Sequence, residues 1–508
     1  MDWDYIIVGG GTTGCVLANR LSANSQHKVL LLEAGGKNNS LLIKIPTAQG
    51  NALEKPQYTW QYQLEADETR HGKKEIWPTG KGLGGGSAIN GMLFIQGLPE
   101  DYDHWASLGN QGWGYKDILP YEKKVRDMVL GEGAGKLRYQ HPLVTAFINT
   151  SCMLGFDAKI RSVSQKNGRR NSSASAYLDP IKHRKNLTVL TNVVVTRLLL
   201  KNNVAIGVEY REQRTIKQAF CNKEVILSAS TLANPKILML SGIGPREELK
   251  KHGIPVIHEL KGVGKNLQEH PAFLLSYLTN VPTIRSELMI TKLLYNLSRW
   301  FFKGNGPLTT PVAQGIALIN TNFTSTSPTV FLEFTALEFK LANQSTVEKP
   351  APTVMFAPIL CRPEARGYVS LASNNPLDMP KIHYQFFSSE NDVKNLVDAL
   401  KITRKICSTS PLSSYLIKEK TPGLNIQTNE EMINYIKETG VRSFHNAGSC
   451  RMGNDELAVV DDKLRVHGIK NLRIADCSIM PTIVSVNPMV TTLTIGEKCA
   501  DLILAQTA

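Results

Sequence analysis

Asp4-Tyr5-Ile6-Ile7-Val8-Gly9-Gly10-Gly11-Thr12-Thr13-Gly14 is the stretch whose reading decides the fold. Its first five residues form an apolar run with β-branched members, the signature of a buried strand. The glycines that follow fit G-x-G-x-x-G. An apolar-periodic helix is predicted over Cys15 to Ser22, and a second strand, Lys28 to Leu32, ends on Glu33. The order strand, glycine loop, helix, strand, acid is that of a dinucleotide-binding βαβ unit. There the glycines let backbone approach a pyrophosphate, the helix N-terminus offers unpaired N–H groups, and the acid meets a ribose hydroxyl about 20 residues on. A glycine turn in an unrelated α/β domain is the alternative.

With 508 residues the chain is long enough for two or three domains. Hydrophobic residues at 42% and charged residues at 20% are those of an ordinary globular protein. No apolar run is long enough to cross a membrane, and the first strand leaves no room for a signal peptide, so the expected location is the cytoplasm. None of the eight cysteines forms a C-x-x-C pair, and no His/Cys cluster has zinc spacing. Free thiols and no metal are expected. A net charge of +14 admits an anionic substrate, a membrane surface or nucleic acid. No dense basic block interleaved with aromatics is present, so nucleic acid is not expected, and most of the charge reads as a solvated surface.

Further along, Gly80-Lys81-Gly82-Leu83-Gly84-Gly85-Gly86-Ser87-Ala88-Ile89-Asn90-Gly91 gathers glycines between apolar neighbours. Backbone passing close to something is the reading, against a tight surface turn. Asp101-Tyr102-Asp103-His104-Trp105 is read as opening a helix, with an Asp as its cap. Strands are expected over Asn186 to Leu200, Val204 to Tyr210 and Glu224 to Ser228, and helices near Phe147 to Leu154, Pro235 to Leu240 and Asp392 to Ile406. Val330 to Phe334 and Tyr368 to Leu371 suggest a sheet in a second domain. Ile290 to Lys303 has the pattern of a basic amphipathic helix, suited to a membrane surface, a lid or core packing. Leu472 to Asp476 reads as a strand ending in an acid, and Val490 to Leu504 as the last helix.

Two polar residues near the end could carry chemistry. His445 lies in Ser443-Phe444-His445-Asn446-Ala447-Gly448, and Asn487 in Val484-Ser485-Val486-Asn487-Pro488-Met489. A histidine can take a hydroxyl proton near working pH, and an Asn amide can orient an alcohol and stabilise charge on its oxygen. On composition and spacing alone each is equally a structural residue.

Four separated motifs carry a resemblance to the glucose–methanol–choline (GMC) family of FAD oxidoreductases, in its choline and alcohol dehydrogenase or oxidase branch. They are the N-terminal fingerprint with Glu33, and Gly80 to Asn90 with Asp101 to Trp105. The third is Ser228 to Pro245 with Gly262 to Pro271, and the fourth the segments around His445 and Asn487. The resemblance implies an α/β fold. A Rossmann-like FAD-binding domain of glutathione-reductase type is formed by 1–141, 176–275 and 443–508. An interleaved α+β substrate domain on an antiparallel sheet is formed by 142–175 and 276–442. It implies FAD contacts from Gly9, Gly11, Thr12, Thr13, Gly14, Glu33, Ala34, Gly82, Gly85, Asn90 and Gly91. Val194 is then implied near the adenine, and Asp476, Pro488 and Met489 near the ribityl-flavin end. His445 and Asn487 are implied as the catalytic pair, abstracting an alcohol proton while hydride passes to flavin N5. Oxygen or a quinone-type acceptor would reoxidise the flavin, and peripheral membrane contact is allowed.

The chain also departs from the family pattern. Ile89 stands where covalently flavinylated members carry His, so the FAD is expected to be non-covalent. Asn234 replaces a usual Ser or Thr, and Asn446 a usual Pro. The 125–175 region is short, and no acid suggests itself for a quaternary ammonium ligand. The alternative function is a non-redox or light-driven member of the fold, akin to hydroxynitrile lyases or fatty-acid photodecarboxylases. Cys361-Arg362-Pro363 resembles a photodecarboxylase segment.

Overall fold

The structure, a computed structural model, describes residues 2–131, 135–321, 327–338 and 351–506. Trp3–Val8 forms the central strand of a parallel array, because its apolar side chains are buried on both faces. Its neighbours are Val29–Glu33 on one side and the C-terminal part of Thr215–Leu227 on the other. Leu187–Thr191 and Leu472–Ile474 extend the array at its two ends. The helix Thr12–Leu21 starts inside the glycine loop, three residues before the predicted start. The last helix, Met489–Leu504, lies against it. Thr13 Oγ1 donates to the Thr492 carbonyl at 3.1 Å, and Arg20 pairs with the buried Glu497 at 2.7 Å.

Thr215–Leu227 is one strand of 13 residues with two roles. Its exposed first half pairs antiparallel with Val204–Glu212, which pairs in turn with Val193–Lys201. Its buried second half joins the parallel array. Only the apolar half was legible as a strand, because the first half alternates polar residues on a solvated face.

Among the described residues the second sheet has eight strands, and every pairing in it is antiparallel. Its main path runs Leu416–Thr421, Leu275–Thr279, Thr353–Leu360, Val330–Thr335, Gly315–Ile319, Asp157–Ile160. The helices Pro142–Met153 and Glu390–Cys407 cover one face, where Phe147 stacks on Phe334 with ring centroids 4.9 Å apart. Burying each such side chain stabilises the fold by about 1.5–3 kcal/mol. The opposite face carries Ile316, Phe331 and Ile359 against Leu93, Ile95 and Val486, and so turns toward the first sheet.

Two expectations need correction. Asp101 is not the N-cap of its helix: Leu98 holds that place before Pro99–Ser107, and Asp101 sits in the first turn as the acid of a capping box. From there its carboxylate accepts the Leu98 N–H at 3.0 Å and the Ser485 N–H at 2.9 Å. Tyr368–Ser370 is a strand, but it pairs with Lys381–His383 outside the main sheet. We propose the division into 1–141, 176–275 and 443–508 against 142–175 and 276–442. The two parts join where Pro271–Ala272 pairs with the second sheet, and where Tyr62, Leu64 and Trp77 enter its core.

Candidate active site

The nucleotide cradle is two glycine loops laid on one another. The Gly84 N–H donates to the Gly10 carbonyl at 2.8 Å, and the Leu83 N–H to that of Gly36 at 2.9 Å. Several positions tolerate no side chain, Gly14 and Gly85 among them. A Cβ at Gly14 would lie 1.9 Å from the Gly9 carbonyl oxygen. At Gly85, where φ is +48°, it would lie 2.8 Å from Gly11 Cα. By contrast, a Cβ at Gly86 meets nothing within 4 Å, and one at Gly11 meets only the Ser228 carbonyl, at 3.8 Å. The loops are therefore open on the side of Gly11 and Gly86, and we infer a groove along it. It leads to the start of Thr12–Leu21, where no side chain caps the first turn and no acid stands in it. Such a helix end suits phosphate.

Glu33 is buried beside this groove. Its Oε2 accepts the Gly10 N–H at 2.7 Å, while Oε1 accepts those of Gly35 at 2.7 Å and Gly82 at 2.8 Å. A carboxylate offers about four lone-pair sites, so Oε2 can still accept one donor such as a ribose hydroxyl. Ala34 lies between Glu33 and Gly35. The Asn192 N–H donates to the Gly35 carbonyl at 2.9 Å, which brings the turn before Val194 to the same end of the groove. These residues fit a dinucleotide.

Toward the other end, Asn90 Oδ1 accepts Arg170 Nη1 at 2.7 Å and the Met92 N–H at 3.1 Å, and its Nδ2 approaches Met489 Sδ at 3.0 Å. Gly91 rests on Val312, and Pro488 caps the last helix. The Asp476 carboxylate serves the protein itself. Oδ2 accepts the Ser230 N–H and Asn234 Nδ2, each at 2.8 Å, and Oδ1 accepts the Ser478 N–H at 2.8 Å. That accounts for Asn234, whose Oδ1 also accepts the Ala229 N–H at 2.9 Å. Asp476 thus braces the 228–234 loop against 476–478. Ile89 is buried with Ile43, Ala52 and Ala88, offering no nucleophile for a covalent link.

His445 and Asn487 come together. Asn487 Nδ2 lies 3.3 Å from His445 Nε2, and His445 Nδ1 lies 3.0 Å from His270 Nδ1. An amide nitrogen can only donate, so the network assigns the His445 ring proton to Nδ1 and leaves a lone pair on Nε2. Burial, with His270 beside it, holds His445 well below the ordinary histidine range, so the ring is neutral. Burial likewise pushes His270 down to about 3. The backbone that carries this ring is fixed from behind by Glu269. Its Oε1 accepts the His445 N–H at 2.7 Å and the His270 N–H at 3.0 Å, and its Oε2 accepts Asn446 Nδ2 at 2.8 Å. Here Asn446 does what a proline could not. Burial drives the Glu269 carboxyl up to about 8. Asn487 is steadied by its neighbour Ser485, which Asp101 holds through the backbone N–H and hydroxyl.

Sequence reasoning missed Glu333. Its Oε1 accepts Asn487 Nδ2 at 3.3 Å, and burial lifts its carboxyl to about 7. A lone acid inside the apolar run Val330-Phe331-Leu332-Glu333-Phe334 was the available signal. Glu269 and His270 fell within a quoted motif, but only the fold brings them under His445. Cys361 is buried in the apolar wall, and Arg362 Nη2 donates outward to the Pro328 carbonyl at 3.0 Å. That pair lends no support to a photodecarboxylase.

Comparison with known proteins gives the following. Family models described as GMC oxidoreductase match residues 3–272 and 363–496. The oxygen-dependent choline dehydrogenase of Vibrio vulnificus (strain YJ016) is 35% identical over 530 residues, covering 99% of this chain and 94% of that protein. That of Pseudomonas putida (strain GB-1) is 36% identical over 538 residues, with coverage of 99% and 94%. Among solved structures, pyridoxine 4-oxidase from Mesorbium loti superposes with a TM-score of 0.89 at 27% identity, covering 98% of this chain and 99% of that one.

Proposed function

Because the chain belongs to the GMC oxidoreductase family, whose members oxidise alcohols with FAD, we propose that His445 and Asn487 carry that oxidation here. FAD, held non-covalently by the two glycine loops and Glu33, supplies the hydride acceptor. The chain's own groups do the rest. His445 Nε2, neutral and unprotonated, takes the hydroxyl proton. Asn487 Nδ2 donates to the alcohol oxygen as negative charge grows on it. Glu269 and His270 keep the imidazole aimed, and the alcohol leaves as an aldehyde or ketone. The supporting observation is the 3.3 Å approach of Asn487 Nδ2 to His445 Nε2. Anaerobic mixing of the flavoprotein with a panel of alcohols tests it: at least one bleaches the flavin. Failure of every alcohol to do so would reject the reading.

A membrane-side electron acceptor of the quinone type completes this proposal. Its support is the helix Ile290–Lys303. Among the described residues no helix is long and apolar enough to cross a membrane. This one has Ile290, Leu294 and Phe302 more than four-fifths exposed, with Phe301 also outward. Ile290, Leu294 and Phe301 share one face. Lys303 lies in the last turn, and the hairpin carrying Lys166 and Arg169 abuts that end, with Arg169 over the Trp300 and Phe301 rings. Exposed apolar residues with cations gathered at one end suit an anionic lipid surface. The expected result is co-sedimentation with phosphatidylglycerol–phosphatidylcholine vesicles that falls at least ~100-fold in affinity when Leu294 and Phe302 both become Glu. Absence of binding by the unmodified protein sinks the membrane proposal. Air admitted after bleaching reports on oxygen: rapid return of colour replaces the quinone with oxygen.

A further inference from the structure

Glu333 stands on a surface where an ionisable group is costly. Its strand places it opposite Ile316 and Ala357 in the neighbouring strands. Side chains alternate along a strand, so it shares the face of Phe331 and turns away from the core that holds Leu332 and Phe334. Phe331 on that face has its ring 6.5 Å from the His445 ring. The wall around it is made of Ile316, Phe331, Leu93, Ile95 and Val486. Among the described residues no Lys or Arg forms an ion pair with Glu333, and the only hydrogen bond given to it comes from Asn487. Unlike its strand neighbours Leu332 and Phe334, Glu333 retains some exposure, so it borders open space.

A carboxylate without a counter-charge, in an apolar wall beside the reacting pair, contributes nothing to stability. It gains a purpose when the substrate brings the cation. We propose that Glu333 selects alcohols that carry an N–H-bearing ammonium group, that is, protonated amino alcohols. This rests on the alcohol-oxidising reading of His445 and Asn487. Geometry sets the length. Asn487 Nδ2 bridges Glu333 Oε1 and His445 Nε2 with two contacts of 3.3 Å. A hydroxyl at His445 and an ammonium at Glu333 are then joined by a short chain of about two to four carbons at ordinary hydrogen-bond distances. The ammonium N–H makes a charge-assisted bond to the carboxylate. A quaternary ammonium lacks that donor and is ordinarily met by several aromatic faces, whereas among the described residues Phe331 is the one aromatic side chain of this apolar wall.

The test compares 3-amino-1-propanol, 1-butanol and choline as reductants of the enzyme-bound flavin. The expected order of kcat/KM places 3-amino-1-propanol first, by about 10-fold or more over each of the others. In Glu333→Gln, an isosteric change, the ratio of 3-amino-1-propanol to 1-butanol falls by about 10- to 100-fold. Calorimetric titration with n-butylammonium gives a second readout that needs no turnover: its affinity falls by a similar factor in the variant. An unchanged ratio, unchanged butylammonium affinity, or choline ahead of the amino alcohol overturns the proposal. If 1-butanol and the amino alcohols all fail to bleach the flavin, the alcohol-oxidation reading itself has failed, which is a different result.

Discussion

His445→Ala is expected to keep its flavin and to lose at least ~100-fold in the rate at which an alcohol bleaches it. On the proposed reading the side chain supplies the unprotonated nitrogen that takes the hydroxyl proton, and alanine leaves that proton without an acceptor. Flavin retention should survive because Glu269 grips this segment through the His445 backbone N–H and the Asn446 amide, which the substitution leaves in place. Rapid-mixing absorbance under anaerobic conditions measures the rate, and the protein's visible spectrum measures the flavin. A bleaching rate equal to the wild type removes His445 from the proton transfer. Asn487→Ala should be slower than wild type by a smaller factor, since it takes away a donor to the oxygen and leaves the base.

Gly14→Ala has the other large effect, and it acts before any chemistry. The new methyl carbon would lie 1.9 Å from the Gly9 carbonyl oxygen. Both partners are backbone, so no side chain can swing aside. The helix Thr12–Leu21 would have to move off the strand Trp3–Val8, and its N-terminus would leave the groove. The expected product is colourless or insoluble, with no flavin released on denaturation of the soluble fraction. Gly50→Ala is the matched control. A methyl group there meets nothing within 4 Å, and in a helix alanine is favoured over glycine by about 1 kcal/mol. That variant should purify yellow. A yellow Gly14→Ala protein with normal thermal stability would show that the loop does not approach the strand so closely.

The head of the chain could be read because three signals coincide within thirty residues: an apolar run, a glycine spacing and an acid closing the next strand. Each has a local physical cause. Glu33 shows where such reading stops. Its position was predicted, but three backbone amides also converge on it, and one of them, Gly82, belongs to a loop far along the chain. Asp476 was expected near the cofactor, and its carboxylate also ties two protein loops together, because a sequence shows that an acid ends a strand but not who donates to it. Glu333 was passed over for a related reason: burial of a carboxylate is a property of the whole sheet, not of the five residues around it. The exposed half of Thr215–Leu227 escaped notice because a solvated strand with mixed polarity lacks an apolar pattern.

Leu472–Ile474 completes the edge of the parallel array, and Met489–Leu504 lies over the first helix. Both come from residues beyond 470, far along the chain from what they cover. The glycine loops and the flank of the first helix therefore stay uncovered until these later segments are made, and a chain cut before residue 472 lacks the strand and the helix that close over them.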